Sequence, residues 1–163
     1  MKLGGIVRTI DLLNEWSGKL ASFIIIPNVL ALVYEVIARY VFKSPTIWSY
    51  DVTYMLYAAH FLLGAGYTLK YGRHIRVDIF YSRVSPRGQA IIDSLCYLLL
   101  FFPPILVLIY GGIGLVQESI MMHEKSTATA WQPIMWPFKS LILVGFFLLF
   151  VQGIAEFIRK ATT

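Results

Sequence analysis

The chain has 163 residues, of which 58% are hydrophobic and 14% charged, with a formal net charge of +5. A soluble domain carries about 25% charged residues, so this composition excludes an ordinary water-soluble globule, and the deficit falls in long apolar stretches. The basic residues are scattered between those stretches and form no single patch, which excludes a nucleic-acid surface and marks them as topology signals.

Residues 1–19 include Lys2, Arg8, Asp11, Glu15 and Lys19. They hold no apolar core of signal-peptide length and no small-x-small cleavage site. Ile6, Ile10, Leu13 and Leu20 recur at helical spacing, which predicts an amphipathic helix over about 5–19 lying on the membrane surface. A frayed polar tail is the alternative. Four stretches then meet the roughly 20 apolar residues that a helix needs to cross a bilayer: 20–42, 52–69, 94–116 and 136–158. The third contains Pro103-Pro104, and two missing backbone donors predict a kink or a widened turn. Pro137 suits the first turn of the fourth helix. Between them, Gln117 to Pro133 is too long for a tight hairpin, so the third helix is expected to run past its span and an ordered segment to return. No period-two alternation runs through the spans, so a β-barrel is not expected.

The predicted fold is therefore all-α: one membrane domain over 1–163 with four transmembrane helices and an N-terminal interfacial helix. Lys and Arg set its orientation. Lys2, Arg8, Lys19, Lys70, Arg73, Arg76, Arg83, Arg87, Arg159 and Lys160 fall on one side, against Arg39, Lys43, Lys125 and Lys139 on the other, ten to four. Both termini and the second loop are expected in the cytoplasm. Tyr40, Trp48, Tyr50, Trp131 and Trp136 then make an aromatic belt at the outer interface.

Few residues offer chemistry. Cys96 is the single cysteine, expected as a small buried apolar residue; no disulfide or cysteine metal site follows. Glu35 and Arg39, four apart on one helix face, read as a local ion pair or as a polar anchor for a partner subunit. Trp48-x-x-Asp51 opens the second span, with Ser49 or Asp51 available to cap it and Asp51 to complement its dipole; Arg39 is a second candidate partner for Asp51. His60 is the one histidine at mid-membrane, too few for an axial haem pair, and is expected to hydrogen-bond within the bundle. Gly64 and Gly66, with neighbouring alanines, suit close helix contact. His74 and Asp78 can pair on a short helix. Glu35, Arg39 and His60 are read as the polar groups inside the spans. No nucleophile–base set, phosphate loop, metal set or cofactor site is present in the pattern, so no enzyme activity is expected.

These residues resemble the small membrane subunit of tripartite ATP-independent periplasmic (TRAP) transporters, the DctQ-type small permease, from about Leu20 to Arg159. The resemblance rests on Tyr34-Glu35-x-x-x-Arg39-Tyr40-Val41-Phe42, Trp48-x-x-Asp51, Gly64-Ala65-Gly66, His74-Ile75-Arg76-Val77-Asp78 and Trp131-x-Pro133-x-x-Trp136-Pro137. Asp51 stands where the family often has Glu. The long third loop with Glu124 and Ser126 resembles the branch labelled mannitol/chloroaromatic. The resemblance implies a bacterial inner-membrane subunit that braces a large permease subunit, helps dock a soluble periplasmic binding protein and sits among membrane lipids. Sodium-coupled uptake of an organic acid would be carried out by the large subunit. It implies structural or subunit-interface roles for Glu35, Arg39, Trp48, Asp51, Gly64, Gly66, His74 and Asp78. Glu124, Ser126, Trp131 and Trp136 become candidate binding-protein contacts. The alternative is a self-contained four-span multidrug exporter with a membrane glutamate in its first span; Arg39, one turn from Glu35, argues against a freely titrating carboxylate there.

Overall fold

A computed structural model describes residues 2–72 and 85–161. Every element among them is helical: α1 (Lys2–Tyr40), α2 (Ser49–Lys70), α3 (Pro86–Cys96), a π-helical turn (Tyr97–Phe101), α4 (Phe102–Met121) and α5 (Trp136–Ala161). Three helical stretches, Gly4–Tyr40, Ile91–Met121 and Trp136–Arg159, are long and apolar enough to cross a membrane. The 22-residue α2 is long enough but less apolar, because it carries His60, four tyrosines and three threonines or serines.

Helix α2 packs between α1 and α5, and α4 joins the bundle through α5. This open arrangement has little interior, and what it has is mostly small or polar. Ala21, Ala31, Ala38, Ala59 and Ala155 are buried, and so are Asn14, Ser17, Asn28, Ser49, Ser119, Gln152 and Glu156. Most large apolar side chains of α1, the π-helical turn and α4 face outward, including Leu20, Phe23, Leu30, Leu99, Val107 and Leu115. In water this would reverse the usual burial order. In lipid it follows directly, since only polar and close-packed contacts favour one helix neighbour over hydrocarbon.

The prolines act as their chemistry dictates. Pro103 and Pro104 lie in the first turn of α4, directly after the π-helical turn. Their rings would clash with the carbonyls one turn back, and the wider π turn relieves this. Pro137 sits in the first turn of α5. Helix α4 continues to Met121, past the expected span end at 116. It closes with His123 in the left-handed region (φ 49°), where Glu124 N–H donates to Ser119 C=O at 3.0 Å. The returning segment is ordered: Ser126 N–H donates to Pro133 C=O (2.8 Å) and Met135 N–H to Glu124 C=O (3.0 Å). Residues 122–135 thus form a small clasp.

Two expectations are corrected. The N-terminal stretch is no separate surface helix; α1 runs unbroken from Lys2 to Tyr40, through Pro27. Of its apolar stripe, Ile6, Leu13 and Leu20 face outward, while Ile10 turns into the bundle with Asn14 and Ser17. In an apolar solvent the small and polar side of the helix goes inside. Cys96 is exposed, not buried, because the α3 side of the bundle presents its apolar side chains outward.

Candidate functional site

Polar side chains gather in two layers, one at each end of the bundle. The first lies where α1 ends, α2 begins and the clasp folds back. Glu35 is its hub. One carboxylate oxygen accepts from Arg39 Nε (2.9 Å) and Nη2 (2.5 Å). The other accepts from the backbone N–H (3.0 Å) and the hydroxyl of Thr46. The α1–α2 connection is thereby tied back to α1. Trp48 stacks on Tyr34 with ring centroids 5.8 Å apart.

Asp51, 2% exposed, accepts from Ser126 Oγ at 2.7 Å and from the Thr129 hydroxyl. It therefore anchors the clasp to the first turn of α2. The pairing of Arg39 with Asp51 is not formed. Arg39 turns to Glu35 and leaves its side chain 56% exposed, while the clasp hydroxyls satisfy Asp51. Nor do Ser49 and Asp51 cap α2: the Ser49 hydroxyl donates to Ala31 C=O (3.2 Å), and Thr46 Oγ1 accepts from the Ser49 N–H at 3.3 Å. Asp51 keeps its dipole role in the first turn. Glu124 bonds Lys139, joining the clasp to α5. Tyr40, Tyr50, Trp131 and Trp136 are exposed around this end.

The second layer joins α1, α2 and α5 at the opposite end. Glu15 holds Lys70 (2.8 Å) and Lys19 (3.3 Å). Asp11 accepts from Arg159 (2.8 Å) and Gln152 Nε2 (3.0 Å). Gln152 Oε1 accepts from Asn14 Nδ2 at 2.9 Å, and both residues are fully buried. Arg159 also bonds Glu156. Between the layers, His60 Nδ1 meets Ala21 C=O at 2.8 Å, the bundle hydrogen bond expected of it. His74 and Asp78 lie outside the described residues.

Residues 28–163 match the family described as tripartite ATP-independent periplasmic transporters, DctQ component. The chain belongs to that family. No individually curated protein matches it. The DctQ family is a transporter component and not an enzyme family, so the subunit is a multi-pass membrane protein of a TRAP transporter. The multidrug exporter falls to this match, and Glu35, which accepts four hydrogen bonds inside its own chain, has no capacity left for such a role.

Sequence reasoning missed most of the subunit's second layer. Glu35, Arg39 and His60 are not the only polar groups within the spans, since Asn28 and Gln152 are buried there. Both were visible as amides in apolar runs, a pattern that marks helix contacts. Thr46 and Thr129 carried no such signal, because their partners come from other loops. Of the two glycines singled out, Gly66 is packed, with an added Cβ meeting Asn14 Oδ1 at 2.0 Å, whereas one at Gly64 would meet only Ala21 Cβ at 4.0 Å.

Two results are expected at the first layer. Arg39→Ala lowers the detergent melting temperature of the subunit more than Lys43→Ala, because Glu35 loses two hydrogen bonds while Lys43 has no partner among the described residues. Equal shifts would contradict the geometry. The Lys139 ammonium holds the Glu124 carboxyl below its ordinary 4.5, against the opposing effect of burial. A carboxyl lowered on folding adds stability that is full above pH 4.5 and is lost as pH falls through the lowered value. Glu124→Gln is expected to flatten that acid limb of the stability profile, measured by melting between neutral pH and the acid side.

Proposed function

We propose that this subunit is a four-span inner-membrane brace for the large permease subunit of a TRAP transporter, one membrane domain with both termini cytoplasmic. In this reading the large subunit carries out sodium-coupled uptake of an organic acid. The supporting observation is the spacing of the two polar layers. From Glu15 to Glu35 α1 rises about 30 Å, from Asp51 to Lys70 α2 rises about 28 Å, and from Lys139 to Glu156 α5 rises about 26 Å at 1.5 Å per residue. A hydrocarbon core is about 30 Å thick. The same depth therefore separates charged groups on three helices, and α2 belongs with the spans although it is the least apolar. Its polar atoms turn inward: Ser49 to Ala31, His60 to Ala21.

Between the layers these helices carry no carboxylate, and no helix there is broken into half-helices. An organic acid with coupled sodium needs convergent donors and several oxygen ligands near the midplane, so the transport site belongs to another subunit. The clasp, with Trp136 at the adjoining start of α5, is the surface we assign to the soluble binding protein, through Trp131, Trp136 and Glu124. Ser126, buried with its hydroxyl on Asp51, supports the clasp from within.

Deleting the gene should abolish uptake, while His60 substitutions leave the substrate affinity of the assembled complex unchanged. Sodium-driven uptake by proteoliposomes holding this subunit alone would refute the proposal. Topology is tested separately with Ser82→Cys in a Cys96→Ala background. Position 82 should resist an impermeant thiol reagent added from the periplasm, and labelling there would overturn the orientation.

A further inference from the structure

Between the end of α4 and the start of α5 lies a pocket of about 390 Å³, lined by Ile120, His123, Lys125, Ile134 and Trp136. Three of these five side chains can donate a hydrogen bond, and Lys125 carries a full positive charge. No acid lines the pocket. Glu124, next in the chain, is bonded to Lys139. Asp51, which borders Lys125 on the other side of the clasp, is bonded to Ser126 and Thr129. Glu118 stands about 200° around α4 from Ile120 and points elsewhere. Lys125 therefore forms no ion pair among the described residues. Its place is fixed all the same. Ser126 N–H to Pro133 C=O and Met135 N–H to Glu124 C=O hold it opposite Ile134.

The pocket stands at the level of the Glu124–Lys139 pair, in the polar layer at this end of the bundle. Below it, α4 and α5 continue its apolar lining. Ile113 lies seven residues before Ile120 on the same face of α4, about 10 Å deeper, and Phe147 lies eleven residues after Trp136 on the same face of α5, about 16 Å deeper. Both are exposed. An unpaired cation at the interface, with an apolar track running from it into the hydrocarbon, fits a molecule with a phosphate head and acyl chains. A zwitterionic head would bring its ammonium to a pocket that offers no acid, so an anionic head fits better.

We propose that this pocket seats an anionic phospholipid, with its phosphate on Lys125 and His123 and its chains along Ile113 and Phe147. The proposal rests on the four-span reading above for its depth. Trp136 is shared with the surface assigned to the binding protein, so the test leaves it unchanged.

The full-length subunit is placed in nanodiscs of phosphatidylglycerol and phosphatidylcholine in equal parts, with a photoreactive diazirine in the acyl chains of one lipid or the other. After irradiation, peptides carrying Ile113 and Phe147 should be labelled about fivefold more by phosphatidylglycerol, the worth of one lysine near an anionic lipid surface. Lys125→Gln should bring that ratio close to one, and Lys125→Arg should keep it. Lys43→Gln removes an exposed cation outside the pocket and should leave the ratio unchanged. The Lys125→Gln subunit should melt like the wild type in detergent, because the bonds that hold position 125 are backbone bonds of its neighbours. Inorganic phosphate added at constant ionic strength should not displace the label; displacement would mean that the pocket takes phosphate alone and would overturn the lipid assignment. Equal labelling by the two lipids, or a ratio untouched by Lys125→Gln, overturns the pocket while the four-span reading stands. Absence of label from either lipid on α4 and α5 overturns both.

Discussion

Asp51→Ala is expected to cost the purified subunit about 2–5 kcal/mol, the largest effect of any single charge removal in the first layer. The carboxylate is the acceptor for two hydroxyls of the clasp, Ser126 and Thr129. Ser126 is buried, so its hydroxyl would lose a charged acceptor without gaining water. The first turn of α2 would also lose its only acid, worth a few tenths of a kcal/mol to about one. Asp51→Asn keeps one acceptor oxygen and should cost about half as much. Detergent melting gives the energies, and limited proteolysis within residues 127–132 gives the location, since the released clasp should be cut faster. An Asp51→Ala subunit that melts like Lys43→Ala would remove Asp51 from its place as the anchor.

That anchor marks where the sequence could and could not be read. Local chemistry was legible. Pro103-Pro104 specified a widened turn, Pro137 a helix start, and composition specified spans, because each effect acts within one turn of the chain. The family motifs were legible for the same reason, as fixed spacings. What escaped was the choice among partners at equal depth. The Glu35–Arg39 pair was legible from its four-residue spacing and is formed, while nothing local showed that Thr46 closes the α1–α2 connection over the same carboxylate. Asp51 was satisfied by residues more than seventy positions later. The N-terminal helix was misjudged for a different reason. Three of its four stripe residues, Ile6, Leu13 and Leu20, face outward and only Ile10 goes inside, because Asp11, Asn14 and Glu15 are partnered by Gln152, Lys70 and Arg159, none of which is a sequence neighbour.

The second large effect is expected at Gly66, where the two helices and the inner layer meet. An alanine Cβ there would stand 2.0 Å from Asn14 Oδ1 and 2.9 Å from Asn14 Cγ. Asn14 cannot swing aside freely, because its Nδ2 donates to Gln152 Oε1 and it is fully buried. Gly66→Ala therefore either breaks the Asn14–Gln152 bond or separates α1 from α2, and overpacking of this kind costs about 1–3 kcal/mol. Asn14→Ala alone loses that bond and costs about 1 kcal/mol. Combined, the two changes should not add. With Asn14 shortened, the nearest remaining atom to the new Cβ is Leu148 O at 3.5 Å, an ordinary contact. The double variant should then recover about 1–2 kcal/mol relative to the sum of the single changes, a coupling typical of residues in direct contact. Gly64→Ala, half a turn away, where the new Cβ would make only an ordinary contact with Ala21 Cβ at 4.0 Å, serves as the control and should shift stability of the isolated subunit by less than about 1 kcal/mol. Additive costs for Gly66→Ala and Asn14→Ala would show that the small residue at 66 is not there to admit Asn14. A Gly64→Ala cost equal to that of Gly66→Ala would show that the α2 glycines act through helix propensity and not through the close approach of α1.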